Sequence, residues 1–283
     1  MSKVMVIGAS GQLGQCLAAV VKEEQREGFA FLSRSEADIL HIPSLEAAFR
    51  EHAPAYCINC AAYTAVDRAE DEPELCRQVN RDGVAALSRL CQQYGCTLLH
   101  ISTDFVFSGT HVHPWAETDE AEPLNMYGRS KLEGEQAIQD TLENHFILRT
   151  SWLYSEYGNN FVKTMLRFGK EREELRVIWD QVGTPTYAMD LARCILQFIQ
   201  TNSPEYGIYH YSNEGLTSWY DFAQAIFELS GTQVRVVPVR TFEYVTKAKR
   251  PAYSVMDKSK IKKNLQLPIP HWRESLKTCL NNL

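Results

Sequence analysis

Short apolar runs alternate with amphipathic stretches through the first half of the chain. Val4 to Ile7 is continuously apolar and ends in glycines, and Gln12 to Glu24 then sets Leu13, Leu17, Val20 and Val21 at helical spacing. That is a strand, a tight turn and a helix. Phe29 to Leu32 reads as a second strand, followed by a helix with Ser44 as N-cap and Leu45, Ala48 and Phe49 on its inner face. Tyr56 to Asn59 and Thr97 to Ile101 read as buried strands around a helix from about Pro73 to Tyr94. Phe146 to Arg149 closes the series behind a helix that carries Tyr127 and Lys131. Such alternation predicts an α/β fold, a doubly wound parallel sheet with helices on both faces.

Beyond Thr150 the pattern loosens. Helices are expected at Asn160 to Lys170, Met189 to Gln200 and Ser218 to Leu229, and strands at Arg176 to Trp179 and Val234 to Val237. Trp152, Tyr154, Tyr157, Phe161, Tyr187 and Trp219 lie between them, either as plain core or as the lining of a cleft. The division expected is residues 1–150 as one domain and 151–283 mainly as a smaller lobe, some segments of which return to the first.

Composition narrows the class. At 283 residues, 45% hydrophobic and 11% aromatic, the chain can build a packed core. A net charge of -6 with dispersed basic residues argues against nucleic acid. No apolar run approaches the roughly 18 residues of a membrane span, and the first residues enter a strand without a signal-peptide core. A cytoplasmic location is expected, and the eight cysteines fit it as thiols inside apolar segments. Cys57 and Cys60 lack a second ligand pair at zinc spacing, so no metal is expected.

The chemistry sits in three places. Gly8, Gly11 and Gly14, in Val6-Ile-Gly-Ala-Ser-Gly-Gln-Leu-Gly14, form a loop between strand and helix that suits a pyrophosphate at the helix N-terminus, which makes the first domain a Rossmann-like dinucleotide-binding unit. Ser10, Gln12 and Leu13 belong to the same loop. Arg34, after the second strand, favours the extra phosphate of NADP(H); Glu36 nearby leaves NAD(H) open. Asp38 and Ile39 are candidates to border the adenine. Tyr127 and Lys131 stand four residues apart, one helical turn, where an ammonium can lower a phenol's affinity for its proton. Thr103, in Ser102-Thr-Asp104, precedes them.

With Ile58-Asn-Cys-Ala-Ala-Tyr-Thr-Ala-Val-Asp67, Ser102-Thr-Asp-Phe-Val-Phe107, Pro123-Leu-Asn-Met-Tyr-Gly-Arg-Ser-Lys131, Arg149-Thr-Ser-Trp152, Gly158-Asn-Asn-Phe161, Asp180-Gln-Val-Gly-Thr-Pro-Thr186 and Arg250-Pro-Ala-Tyr-Ser254, the chain resembles the dTDP-4-dehydrorhamnose reductase family of extended short-chain dehydrogenases/reductases nearly end to end. It is also similar to members encoded with spore-coat polysaccharide genes. The resemblance implies hydride transfer to C4 of a 4-keto sugar on dTDP, with Tyr127 as proton donor. Lys131 would lower the Tyr127 pKa and hold the nicotinamide ribose, and Thr103 would bind the carbonyl oxygen. It puts Asp104 and Trp152 beside the sugar and Asn159, Asn160, Phe161 and Arg250 toward the nucleotide. Ala61, Ala62, Tyr63 and Thr64 would pass along the cofactor.

Phe105 stands where many relatives carry Tyr, and Gln15-Cys16 replaces the acidic cluster that would support a dimer-bridging metal. The oligomeric state, monomer or homodimer, is left open. A dehydratase would want a Glu where Phe105 stands, and an epimerase a second proton donor. The reading from another class is a non-catalytic NADP-binding subunit resembling the regulatory subunit of methionine adenosyltransferase.

Overall fold

The structure, a computed structural model, describes residues 3–283. The first half runs β1 (Val4–Ile7), α1 (Gln12–Glu23), β2 (Phe29–Leu32), α2 (Ile42–His52), β3 (Tyr56–Asn59), α3 (Val66–Ala69), α4 (Pro73–Arg77), α5 (Val84–Tyr94), β4 (Thr97–Thr103), α6 (Met126–Thr141) and β5 (His145–Thr150). The second half runs β6 (Leu153–Tyr154), α7 (Phe161–Glu171), β7 (Glu174–Ile178), β8 (Val182–Gly183), β9 (Thr186–Tyr187), α8 (Ala188–Thr201), β10 (Gly207–His210), β11 (Thr217–Ser218), α9 (Trp219–Ser230), β12 (Arg235–Val239), α10 (Ser259–Leu265) and α11 (Trp272–Asn281).

Six strands form one parallel sheet in the order β2-β1-β3-β4-β5-β10. The period of two along each strand divides the core between its faces. Val4, Val6, Ile58 and Leu148 pack with Leu17 and Val20 of α1 and Leu191 and Ile195 of α8. Met5, Ile7, Cys57 and Ile147 pack on the other face with Phe49 of α2 and Leu87 and Leu90 of α5. A third core, with Phe222, Ile226, Val162, Leu175 and Leu276, sits among α7, α9, α11 and β7. The connection from β1 leads to one side and that from β3 to the other, so the crevice of the switch point opens beyond their C-terminal ends.

Several expected boundaries shift for identifiable reasons. The second helix starts at Ile42, with Pro43 in its first turn. Ser44, expected as its cap, instead donates to His41 O and accepts from Asp38 N. The helix from Pro73 passes through a π-helical turn at Gln78–Gly83. That turn aims buried Asn80 at the backbone of Tyr63 and the hydroxyl of Ser130. No helix among the described residues is long and apolar enough to cross a membrane.

Candidate active site

Gly8 follows β1 with φ +80°, and a Cβ there would lie 2.7 Å from Ala61 N, so only glycine lets the chain ends after β1 and β3 meet. The glycine loop then delivers α1, whose first turn carries no acidic residue and whose first amides have no side-chain cap. Uncapped amides at a helix start favour an anion. They border a cavity of about 410 Å³ lined by Gly8, Ser10 and Gly11, by Arg34, Asp38 and Ile39, and by Ala61, Ala62 and Tyr63. Gly14 packs behind it, against Gly8 O. The Arg34 guanidinium, 77% exposed, reaches Asp38 at 3.1 Å. Glu36 accepts from Ser33 N at 2.8 Å and Ser33 Oγ at 2.6 Å, so its carboxylate serves a turn. Leu40 N, first, and Arg34 hold Asp38 below the usual carboxylate range.

An adjoining cavity of about 550 Å³ brings together Gln12, Leu13 and Thr64 with Thr103, Asp104, Tyr127 and Lys131. Asn125 caps α6, accepting from Gly128 N and donating to Lys249 O, both at 2.8 Å. The helix then sets Tyr127, Lys131 and Glu135 on one face. Lys131 is buried, its Nζ donating to Ile101 O at 2.6 Å and lying 3.2 Å from His100 Nε2. Burial lowers its pKa to about 8, opposed mainly by Glu135. Burial and the Lys131 charge hold His100 well below its ordinary value. Glu135 in turn takes a bidentate pair from buried Arg149, at 2.7 and 3.0 Å, and a hydroxyl hydrogen bond from Ser102.

Burial pushes the Tyr127 phenol up; the Thr103 hydroxyl opposes this and the Asp104 charge adds to it. The Lys131 ammonium, one turn along α6, is directed at Ile101 O and His100 Nε2. Tyr127 is therefore a protonated acid at neutral pH. Thr103 Oγ1 donates to Asp104 Oδ1 at 3.1 Å and accepts from Phe105 N, so it caps a turn while lining the cavity. Asp104 is pushed up to about 7 by burial.

On the far wall, Trp152 adopts φ +45° and stacks on Trp219 with ring centroids 3.5 Å apart. A Cβ on Gly183 would lie 2.7 Å from the Trp152 ring, so glycine leaves the space that the indole fills. Trp152, Trp219, Asn159 and Arg250 line the cavity, and Asp67 holds the Arg250 guanidinium at 2.7 and 3.2 Å. Asn160 and Phe161 do not line it. Asn160 caps α7 and bridges Gln12 and Ser155, while Phe161 packs under Trp219 and on Phe222. Tyr154 and Tyr187 are core. Cys60, expected in the core, is half-buried and borders both cavities; the other seven thiols are buried, and all eight are free. Sequence reasoning missed Glu135, whose signal was its position one turn beyond Lys131, and the pairing of Asp67 with Arg250, although Asp67 closes the motif Ile58 to Asp67.

The profile of the family described as "RmlD substrate binding domain" matches residues 2–283. The chain belongs to the dTDP-4-dehydrorhamnose reductase family. The dTDP-4-dehydrorhamnose reductase of Aggregatibacter actinomycetemcomitans is 40% identical, with 98% of each chain covered. Spore coat polysaccharide biosynthesis protein SpsK of Bacillus subtilis is 40% identical over 99% of this chain and 97% of its own length. A solved dTDP-4-dehydrorhamnose reductase from Bacillus anthracis, in complex with NADP, superposes with a TM-score of 0.95 at 40% identity, covering 100% of this chain and 99% of that one. Within this dTDP-4-dehydrorhamnose reductase-family chain, Phe105 sets its ring edge against Tyr127, centroids 5.9 Å apart, and so packs on the phenol it adjoins.

Proposed function

We propose that this chain reduces the C4 carbonyl of dTDP-4-dehydrorhamnose to give dTDP-L-rhamnose, with NADPH preferred and NADH as a second donor. The observation that carries the reading is the single cavity in which Tyr127, Lys131 and Thr103 meet the uncapped start of α1. The glycine loop and the cavity beyond it fit a dinucleotide: Gly11, Gln12 and Leu13 would hold the pyrophosphate, Arg34 the extra phosphate, Asp38 and Ile39 the adenine, and Lys131 the ribose. When bound, the reduced nicotinamide supplies hydride. Tyr127 gives its proton to the oxygen as negative charge develops there, and the Lys131 ammonium stabilises the phenolate left behind. Thr103 turns its hydroxyl from Asp104 toward that oxygen. Trp152 and Trp219 exclude water from the sugar, and Arg250, held by Asp67, takes the diphosphate.

In this reading residues 1–150 bind the dinucleotide and 151–283 mainly bind the sugar nucleotide. The protein works in the cytoplasm, as monomer or homodimer, and the likeness to SpsK supports a surface polysaccharide as the product's destination. The test is oxidation of NADPH and of NADH, followed by absorbance, with dTDP-4-keto-6-deoxyglucose and a 3,5-epimerase. Sugar-dependent oxidation is expected. Tight dinucleotide binding without turnover would overturn it in favour of a regulatory role.

A further inference from the structure

We propose that His111, His113 and Asp119, in the loop between β4 and α6, form a site for a divalent transition-metal ion of the zinc type. One ligand atom from each of the three lies within 4.8 Å of the other two. Bonds of about 2.0–2.2 Å to Zn²⁺ put tetrahedral ligand atoms roughly 3.3–3.5 Å apart, so side-chain rotation closes the set. His111 Nδ1 is buried and has no hydrogen-bond partner. A buried ring nitrogen without a partner is unfavourable, and a metal bond to it would supply one.

The platform under the ligands is fixed, and the set closes when His113 turns off the face of His111, because an imidazole binds a metal in its own ring plane. The His111 ring stacks on Trp115 at 4.0 Å and on His113 at 4.6 Å, and buried Trp115 stacks in turn on Phe107 at 4.6 Å. Trp115 Nε1 donates to Tyr253 O at 3.0 Å, which fixes the platform. Asp119 Oδ2 accepts from Ala116 N at 2.8 Å, which orients the carboxylate and leaves Oδ1 for a metal. Such outer contacts are what hold metal ligands in place elsewhere. Two imidazoles and one carboxylate suit Zn²⁺, Ni²⁺ or Cu²⁺ and not the all-oxygen preference of Mg²⁺ or Ca²⁺. A fourth position is left for water.

The ion would close the loop from His111 to Asp119 around Trp115. That residue also donates from its backbone to Val255 O and accepts from Asp257 N, each at 2.8 Å. The site thus braces the segment that follows Arg250.

The test is titration of the untagged, chelator-stripped full chain with Co²⁺, read by its visible absorption, and competition with Zn²⁺. About one equivalent per chain is expected, displaced by Zn²⁺, together with a rise in melting temperature on adding Zn²⁺. His113→Ala, at an exposed ring, and Asp119→Asn, which keeps the bond to Ala116, should each weaken binding about 100-fold with unchanged circular dichroism. No saturable binding below about 1 mM, or undiminished binding in both variants, would overturn the site. None of these readouts depends on reductase activity.

Discussion

The two sides of the cleft hold their functional groups in different ways. On the dinucleotide side, Gly8, Ala61 and Thr103 stand at the ends of regular parallel strands, and Tyr127 and Lys131 on one face of a four-turn helix. On the sugar side, Trp152 leaves β5 in a left-handed conformation, Trp219 follows a two-residue strand, and Arg250 comes from a segment with no regular structure. Reacting groups need fixed separations, which a sheet and a helix supply, whereas selectivity is met by loops that a sheet merely supports. Even the ion pairs follow this division. Glu135 and Arg149 are buried beneath Lys131, while Asp67 and Arg250 meet at the rim.

The largest test acts on the regular side. Tyr127→Phe should lower kcat by about 10²–10⁴-fold while leaving dinucleotide affinity and melting temperature unchanged; full turnover would remove the phenol from the reaction. Next are the two ion pairs. Glu135→Gln leaves Arg149 buried without its anion and should cost about 3–5 kcal/mol in urea unfolding, whereas Asp67→Asn at the half-buried pair should cost about 1 kcal/mol and act on KM. Equal stability losses would erase the contrast.

A smaller effect comes from Asp104. With its pKa at about 7 against an unfolded value near 4, the folded chain holds one more proton than the unfolded chain between those limits. Its contribution to stability is therefore favourable at low pH and falls as pH rises through that window. Asp104→Asn should flatten that part of the melting-temperature profile, and an unchanged profile would assign the titration elsewhere. The smallest change is Arg34→Ala, expected to raise KM for NADPH about tenfold and leave NADH unaffected; an equal effect on both would take the guanidinium away from the extra phosphate.

Much of the fold was legible because the sheet is buried on both faces. Central strands such as Val4–Ile7 must then be continuous apolar runs, and the expected bounds of Val4–Ile7, Phe29–Leu32 and Tyr56–Asn59 match to the residue. β10 escaped notice because Gly207-Ile-Tyr-His210 is short and mixed, and only its pairing with β5 makes it a strand. The two-residue strands β6, β8, β9 and β11 exist only through partners distant in sequence. Asn159, Asn160 and Phe161 were equivalent as a motif. Helix capping turned Asn160 to its own amides, and the apolar core took Phe161, which left Asn159 at the cavity.

The chain alone determined which groups can react and how far apart they lie along a helix, because a four-residue spacing has one geometry wherever the helix is placed. It also marked the glycine loop between the first strand and the first helix. Tertiary structure decided what surrounds those groups: that burial pushes the Tyr127 phenol up; that Glu135 and Arg149 form the floor under Lys131; and that His111, His113 and Asp119 converge. Desolvation and contact depend on what packs from remote parts of the chain, and local spacing carries no record of that.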